Sequence, residues 1–106
     1  MYKDKIILIT GGTGSLGKQL TKYFVKIKDL KKIIIYSRDE QKQFVMAQEF
    51  PVYKYPQIRF LIGDVRDKSR LERAIKDVDY VIHAAAMKHV HIAEYNPSEC
   101  VKTNVG

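Results

Sequence analysis

Four glycines, Gly11, Gly12, Gly14 and Gly17, fall within the seven positions that open GGTGSLG. They follow the apolar run Ile6–Thr10 directly. They precede a segment in which Leu16, Leu20, Tyr23, Phe24 and Ile27 recur at helical spacing. A buried strand that empties into a bare turn and then a helix leaves main chain beside the unpaired, positive end of that helix. Such a place suits an anion, most often a phosphate. Gly12, Gly14 and Gly17 satisfy the dinucleotide pattern GxGxxG, and Thr10, Gly11, Gly14 and Gly17 the overlapping form TGxxGxxG. Gly12, Gly17 and Lys18 also match the GxxxxGK of a nucleoside-triphosphate loop. Gln19 stands where that motif needs a hydroxyl for Mg2+. An ordinary glycine-rich turn is the third reading.

The residues after the second apolar run bear on which dinucleotide would fit. An acidic residue about twenty positions past the glycines binds a ribose 2′-hydroxyl in NAD-binding folds. Here that place holds Ser37 and Arg38. A hydroxyl and a guanidinium suit a 2′-phosphate, which favours NADP, and Lys42 lies one helical turn further on. Asp39 and Glu40 keep NAD open, and a surface ion pair is the plainer account of Arg38. Asp64, after the third apolar run, is placed to accept from an adenine amino group or to start a turn. Ala84-Ala85-Ala86 would let a flat cofactor lie against the backbone, and Lys88 leaves the same edge. His89 and His91 lack a neighbouring Cys or acidic cluster at ligand spacing, so no metal is expected.

These residues need a scaffold. The expected strands are Ile6–Thr10, Ile33–Tyr36, Ile58–Ile62 and Tyr80–His83. The helix after the glycines is expected to run to Lys28–Leu30, a second covers Glu40–Phe50, and a third, capped by Asp67, buries Leu71, Ala74 and Ile75. Asn96, Pro97 and Glu99 resemble the start of a fourth helix that carries Val101, Asn104 and Val105. Four strands alternating with helices predict an α/β, doubly wound (Rossmann) fold, partial here, with a parallel sheet of order 3-2-1-4 and a ligand crevice between strands one and four.

With 106 residues and 45% hydrophobic content, one domain with a real core is expected. The sole cysteine, Cys100, cannot form an internal disulfide, which suits a reducing cytoplasm. No run is long enough to span a bilayer. The net charge of +7 is spread over helix faces and turns without a dense basic block, which argues against nucleic acid and suits anionic small molecules.

In this order, TGGTGSLGK, YSRDEQKQ, GDVRD, HAAAMKHV and AEYNPSECVKTNVG resemble the N-terminal part of the NADP-dependent UDP-N-acetylglucosamine 4,6-dehydratases, members of the extended short-chain dehydrogenase family. The similarity runs from about Lys5 to Gly106. It implies that Thr13, Gly14, Ser15 and Leu16 wrap a pyrophosphate and that Ser37, Arg38 and Lys42 hold the 2′-phosphate. Asp64 and Val65 would flank adenine, Ala84 would touch the cofactor, and Lys88 would reach both cofactor and nucleotide-sugar substrate. It also implies that the chemistry belongs to an Asp-Lys pair and a Tyr-x-x-x-Lys motif on later elements. Neither is present, since Tyr95 is followed at i+4 by Glu99. The expectation is a cofactor-binding segment, residues 1–106, that ends within its fourth helix and is inert by itself. With strand four exposed at its edge, it would self-associate as a homo-oligomer. A nucleotide-sugar epimerase of the same family and a non-catalytic NADP-binding module are the alternatives.

Overall fold

Short Ile/Leu/Val runs without polar alternation are stable as strands only when helices cover both faces of a parallel sheet. The computed structural model, which describes residues 2–84, 90–95 and 100–105, contains such a sheet. Strands β1 (Ile6–Thr10), β2 (Lys32–Ser37), β3 (Ile58–Ile62) and β4 (Tyr80–His83) pair in parallel in the order β3-β2-β1-β4. Leu8 sits opposite both Ile34 and Val81. Three helices connect them: α1 (Ser15–Phe24), α2 (Glu40–Glu49) and α3 (Lys68–Ala74).

Alternate residues of each strand feed two cores. Ile7, Ile9, Ile33 and Ile35 pack with Phe24, Met46 and Phe50 in one layer, on the side of α1 and α2. Leu8, Tyr36 and Val81 pack with Val78 in the other, against Leu71, Ala74 and Ile75. Ile7, Leu8 and Ile9 are fully buried, and burial on that scale contributes about 1.5–3 kcal/mol per side chain. Asp39 and Asp67 cap the next helices, accepting from the amides of Lys42 (3.0 Å) and Arg70 (3.1 Å). Each such cap contributes about 1 kcal/mol.

Four expectations are corrected. The first helix stops at Phe24, not near Lys28–Leu30, because the chain tightens into turns that carry Val25 and Leu30 into the core. In those turns Ile27 donates to the Phe24 carbonyl (2.9 Å) and Leu30 to that of Ile27 (3.2 Å). Tyr23, expected on the buried face, is 59% exposed. Residues 100–105 are not helical. They form β6 (Cys100–Val105), antiparallel to β5 (Val90–Tyr95), which in turn runs antiparallel along β4. The β-branched alternation Val101, Thr103, Val105 favours a strand over the helix that the Asn-Pro start suggested. The outer edge of β4 is therefore paired, and the exposed edge on which self-association was expected does not exist. The proposed cap residues 96–99, and Ala85, Ala86, Lys88 and His89, lie outside the described residues.

Candidate functional site

The carboxyl ends of β1, β2, β3 and β4 open into one cleft of about 950 Å3, at the upper end of the range of small-molecule sites. From the glycine turn it is lined by Gly11, Thr13, Gly14, Ser15 and Leu16. The end of β2 adds Ser37, Arg38 and Lys42, the end of β3 Asp64 and Val65, and the end of β4 Ala84. Residues from four separate stretches, each singled out in the sequence, thus share one wall. Lys88 lies outside the described residues.

Each glycine in the turn has its own reason. Gly11 has a φ of 64°, a left-handed conformation that disfavours any side chain. Its amide donates to the Tyr36 carbonyl (2.9 Å) and so ties the turn to β2. A Cβ at Gly12 would come within 2.6 Å of Ile35 Cγ2. A Cβ at Gly17 would run into the main chain of Gly12, so Gly17 lines no part of the cleft and instead lets α1 sit against the turn. Gly14 is different. A Cβ there would meet, among the described residues, only the Gly11 carbonyl at 3.5 Å, and would otherwise project into open space. As N-cap of α1 it supplies no side-chain cap, and the first turn carries no acid. The positive end of α1 therefore faces the cleft without an anion of its own. Lys18 does not point to the cleft: its ammonium pairs with Glu49 on α2 at 3.4 Å. This removes the lysine that a triphosphate loop would require.

The β2 end is held by a residue the sequence reading passed over. Gln43, 5% exposed, donates from Nε2 to Ser37 Oγ (2.9 Å) and to the Leu61 carbonyl (2.9 Å). The Ser37 hydroxyl thus accepts from behind and keeps its proton for a group in the cleft. Asp39 uses a carboxylate oxygen on the Lys42 amide, which accounts for it as a helix cap. Arg38 is 71% exposed and stands 3.6 Å from Asp64, an ion pair beyond hydrogen-bond length.

Asp64 is bound more tightly to Arg66. Its Oδ1 accepts from the Arg66 amide (2.9 Å) and Nε (3.1 Å), and its Oδ2 from Nη2 (2.8 Å). The Arg66 guanidinium beside it holds its carboxyl well below the usual carboxylate range. Beneath this turn lies Tyr36, wholly buried, whose hydroxyl donates to the Asp64 carbonyl (3.3 Å). Burial pushes its phenol upward, so it stays a neutral donor. A Cβ at Gly63 would enter the Tyr36 ring. Tyr36 and Gln43 lie within YSRDEQKQ, and Gly63 and Arg66 within GDVRD, but neither stretch shows by its spacing that these residues build the site.

A family described as polysaccharide biosynthesis protein matches residues 7–106. The chain belongs to that family. The UDP-N-acetylglucosamine 4,6-dehydratase (inverting) of Campylobacter jejuni subsp. jejuni is 63% identical over 99% of this chain. A protein of Rickettsia bellii named UDP-glucose 4-epimerase is 49% identical over 99%. The chain spans 30% and 31% of the lengths of these two relatives. Among solved structures, Pen from Bacillus thuringiensis is 40% identical with a TM-score of 0.73, over 84% of this chain and 26% of that one. The dTDP-glucose 4,6-dehydratase of Bacillus anthracis in complex with NAD is 26% identical with a TM-score of 0.63, over 78% and 27%.

Proposed function

We propose that the cleft binds NADP and that residues 1–106 are the cofactor-binding part of a UDP-N-acetylglucosamine 4,6-dehydratase, with its catalytic groups elsewhere in the complete gene product. The observation that carries this is the meeting of the bare helix end at Gly14, the Ser37–Arg38 pair and Ala84 in one cleft of dinucleotide size. The pyrophosphate would rest on the amides of the α1 start, with Thr13, Gly14, Ser15 and Leu16 around it. The 2′-phosphate would take the Ser37 proton and the charges of Arg38 and Lys42. Val65 would cover the adenine. Asp64, with both oxygens already engaged by Arg66, would offer that ring only a shared lone pair. Held by these residues, a nicotinamide cofactor would supply reversible hydride acceptance, the redox chemistry that a 4,6-dehydration needs.

The 63% identity to a 4,6-dehydratase supports that chemistry over epimerisation, although the same segment serves a relative named as an epimerase. Lys88 would contact both cofactor and substrate, as the family resemblance implies. No helix among the described residues is long and apolar enough to cross a membrane, in keeping with a cytoplasmic enzyme. Incubating the complete gene product with NADP and UDP-N-acetylglucosamine should yield a 4-keto-6-deoxy sugar nucleotide by NMR. Recovery of a C4 epimer, or of unchanged substrate, would overturn the assignment.

The proposal also sets a pH dependence. Arginine does not titrate in the working range. Asp64, held below its ordinary value of 3.8, keeps its charge there too. Its contribution to stability is present above that ordinary value and is lost only as pH falls through the still lower folded one. The 2′-phosphate takes its second charge near pH 6, by analogy with other phosphomonoesters. NADP affinity relative to NAD should therefore rise from pH 5 to 7 and then level off, by calorimetry at constant ionic strength. A ratio that is flat, or that falls, would contradict a 2′-phosphate contact.

A further inference from the structure

We infer that Arg66, the fourth residue of GDVRD, is a specificity-determining positioning residue: by occupying Asp64 it leaves the Arg38 guanidinium available to a phosphate monoester. The inference rests on the 2′-phosphate reading of Ser37 and Arg38 above. Two guanidiniums compete for one carboxylate at the adenine end of the cleft. Arg66 holds it through Nε, Nη2 and its own amide, all within 3.2 Å. Arg38 reaches only 3.6 Å. The contest is unequal for a local reason. Arg66 is two residues from Asp64, and its main-chain bond has already closed the turn, whereas Arg38 arrives from another strand.

Two consequences follow for a phosphate beside Arg38. The charge of Asp64, which would repel it, is neutralised by a partner that stays in place when the ligand binds. The planar fork of Arg38 makes no hydrogen bond among the described residues and can meet a phosphate with both its edges. Without Arg66, the carboxylate would take Arg38 as its remaining cation. A ligand would then have to break that pair and approach an uncompensated negative charge. An uncharged 2′-hydroxyl would feel little of this, so the effect is one of discrimination.

The test is calorimetric titration of the complete gene product with NADP and with NAD, for the native protein and for R66A, R66K, D64N and R66A/D64N. Arg66 is 76% exposed, and R66A should fold normally. R66A is expected to lower the NADP preference roughly tenfold, on the scale of one charge-assisted hydrogen bond, with NAD affinity unchanged and with R66K keeping part of the preference. D64N and R66A/D64N should both show the native ratio, because the competing carboxylate is gone. Any loss of an adenine contact is common to both cofactors and cancels in that ratio. An R66A protein with native preference overturns the inference. So does an equal loss for NADP and NAD, which would put Arg66 on the shared part of the cofactor. A double variant as impaired as R66A would mean direct contact with the phosphate and overturns it as well. A native protein that binds NAD as tightly as NADP instead overturns the 2′-phosphate reading itself, and this inference with it.

Discussion

Replacing Gly17 by alanine is expected to cost the fold, and replacing Gly14 by alanine to cost the ligand. The two glycines lie three residues apart in one motif, but their surroundings differ. A methyl group at Gly17 has nowhere to go, because the Gly12 main chain occupies the place it would take. Backbone cannot swing aside as a side chain can, so α1 must lift from the turn. Overpacking of this kind costs about 1–3 kcal/mol and sometimes more, a large share of a total of about 5–15 kcal/mol. At Gly14 the φ is −76°, which any residue adopts, and among the described residues the new methyl meets only the Gly11 carbonyl at 3.5 Å. G14A should therefore unfold in urea within about 1 kcal/mol of the native protein, the scale of a weakened cap. It should nevertheless bind NADP and NAD at least about tenfold more weakly, equally for both, since a displaced pyrophosphate forfeits charge-assisted bonds common to the two. If G17A melted normally, or if G14A bound dinucleotide as before, the glycine turn would not have the role given to it.

The second large effect is expected at Arg38. R38A should bind NADP about 10- to 100-fold more weakly, the loss of one or two charge-assisted hydrogen bonds, while NAD affinity stays as it was. Arg38 is 71% exposed and its one ion pair among the described residues is long, so stability should hardly change, as for most surface pairs. R38K should recover only part of the loss, because an ammonium meets a phosphate as a point charge without the fork. The salt dependence of NADP binding should also become shallower. Equal loss for both cofactors would mean that Arg38 touches their common half. No loss would reduce it to the surface ion pair that was its plainer reading.

How much of this could be read beforehand depended on whether the signal was local. Strands β1, β3 and β4 have the bounds their apolar runs imply, because Ile6–Thr10, Ile58–Ile62 and Tyr80–His83 are bracketed by turn and cap residues. The caps Asp39 and Asp67 act within three residues of themselves, and such contacts need no knowledge of the rest of the chain. Tyr23 shows where periodicity fails. It shares a helical face with Leu16 and Leu20, yet it remains exposed, while the adjacent Phe24, edge-on to its ring, is the residue buried. Residues 100–105 show a different failure. The Asn96 helix-start signal is local, whereas the β-branched alternation that follows it belongs to a strand paired with β5.

From the sequence by itself came the α/β alternation, the parallel order β3-β2-β1-β4, and the residues that meet in the cleft from the glycine turn, Ser37–Arg38, Asp64–Val65 and Ala84. The alternation and the strand order depend on short-range pattern plus the right-handed crossover rule, and the cleft residues on the motifs at the strand ends, Val65 on the family resemblance alone. Only the tertiary structure decided how those residues are occupied: Lys18 drawn to Glu49, Ser37 bonded from behind by Gln43, Tyr36 seated under Gly63, and Asp64 hydrogen-bonded by Arg66 with Arg38 left as its longer ion pair. The physical reason is that polar partners are chosen by competition in space. The winner depends on distances among side chains that lie on different strands and turns, and no spacing along the chain encodes them.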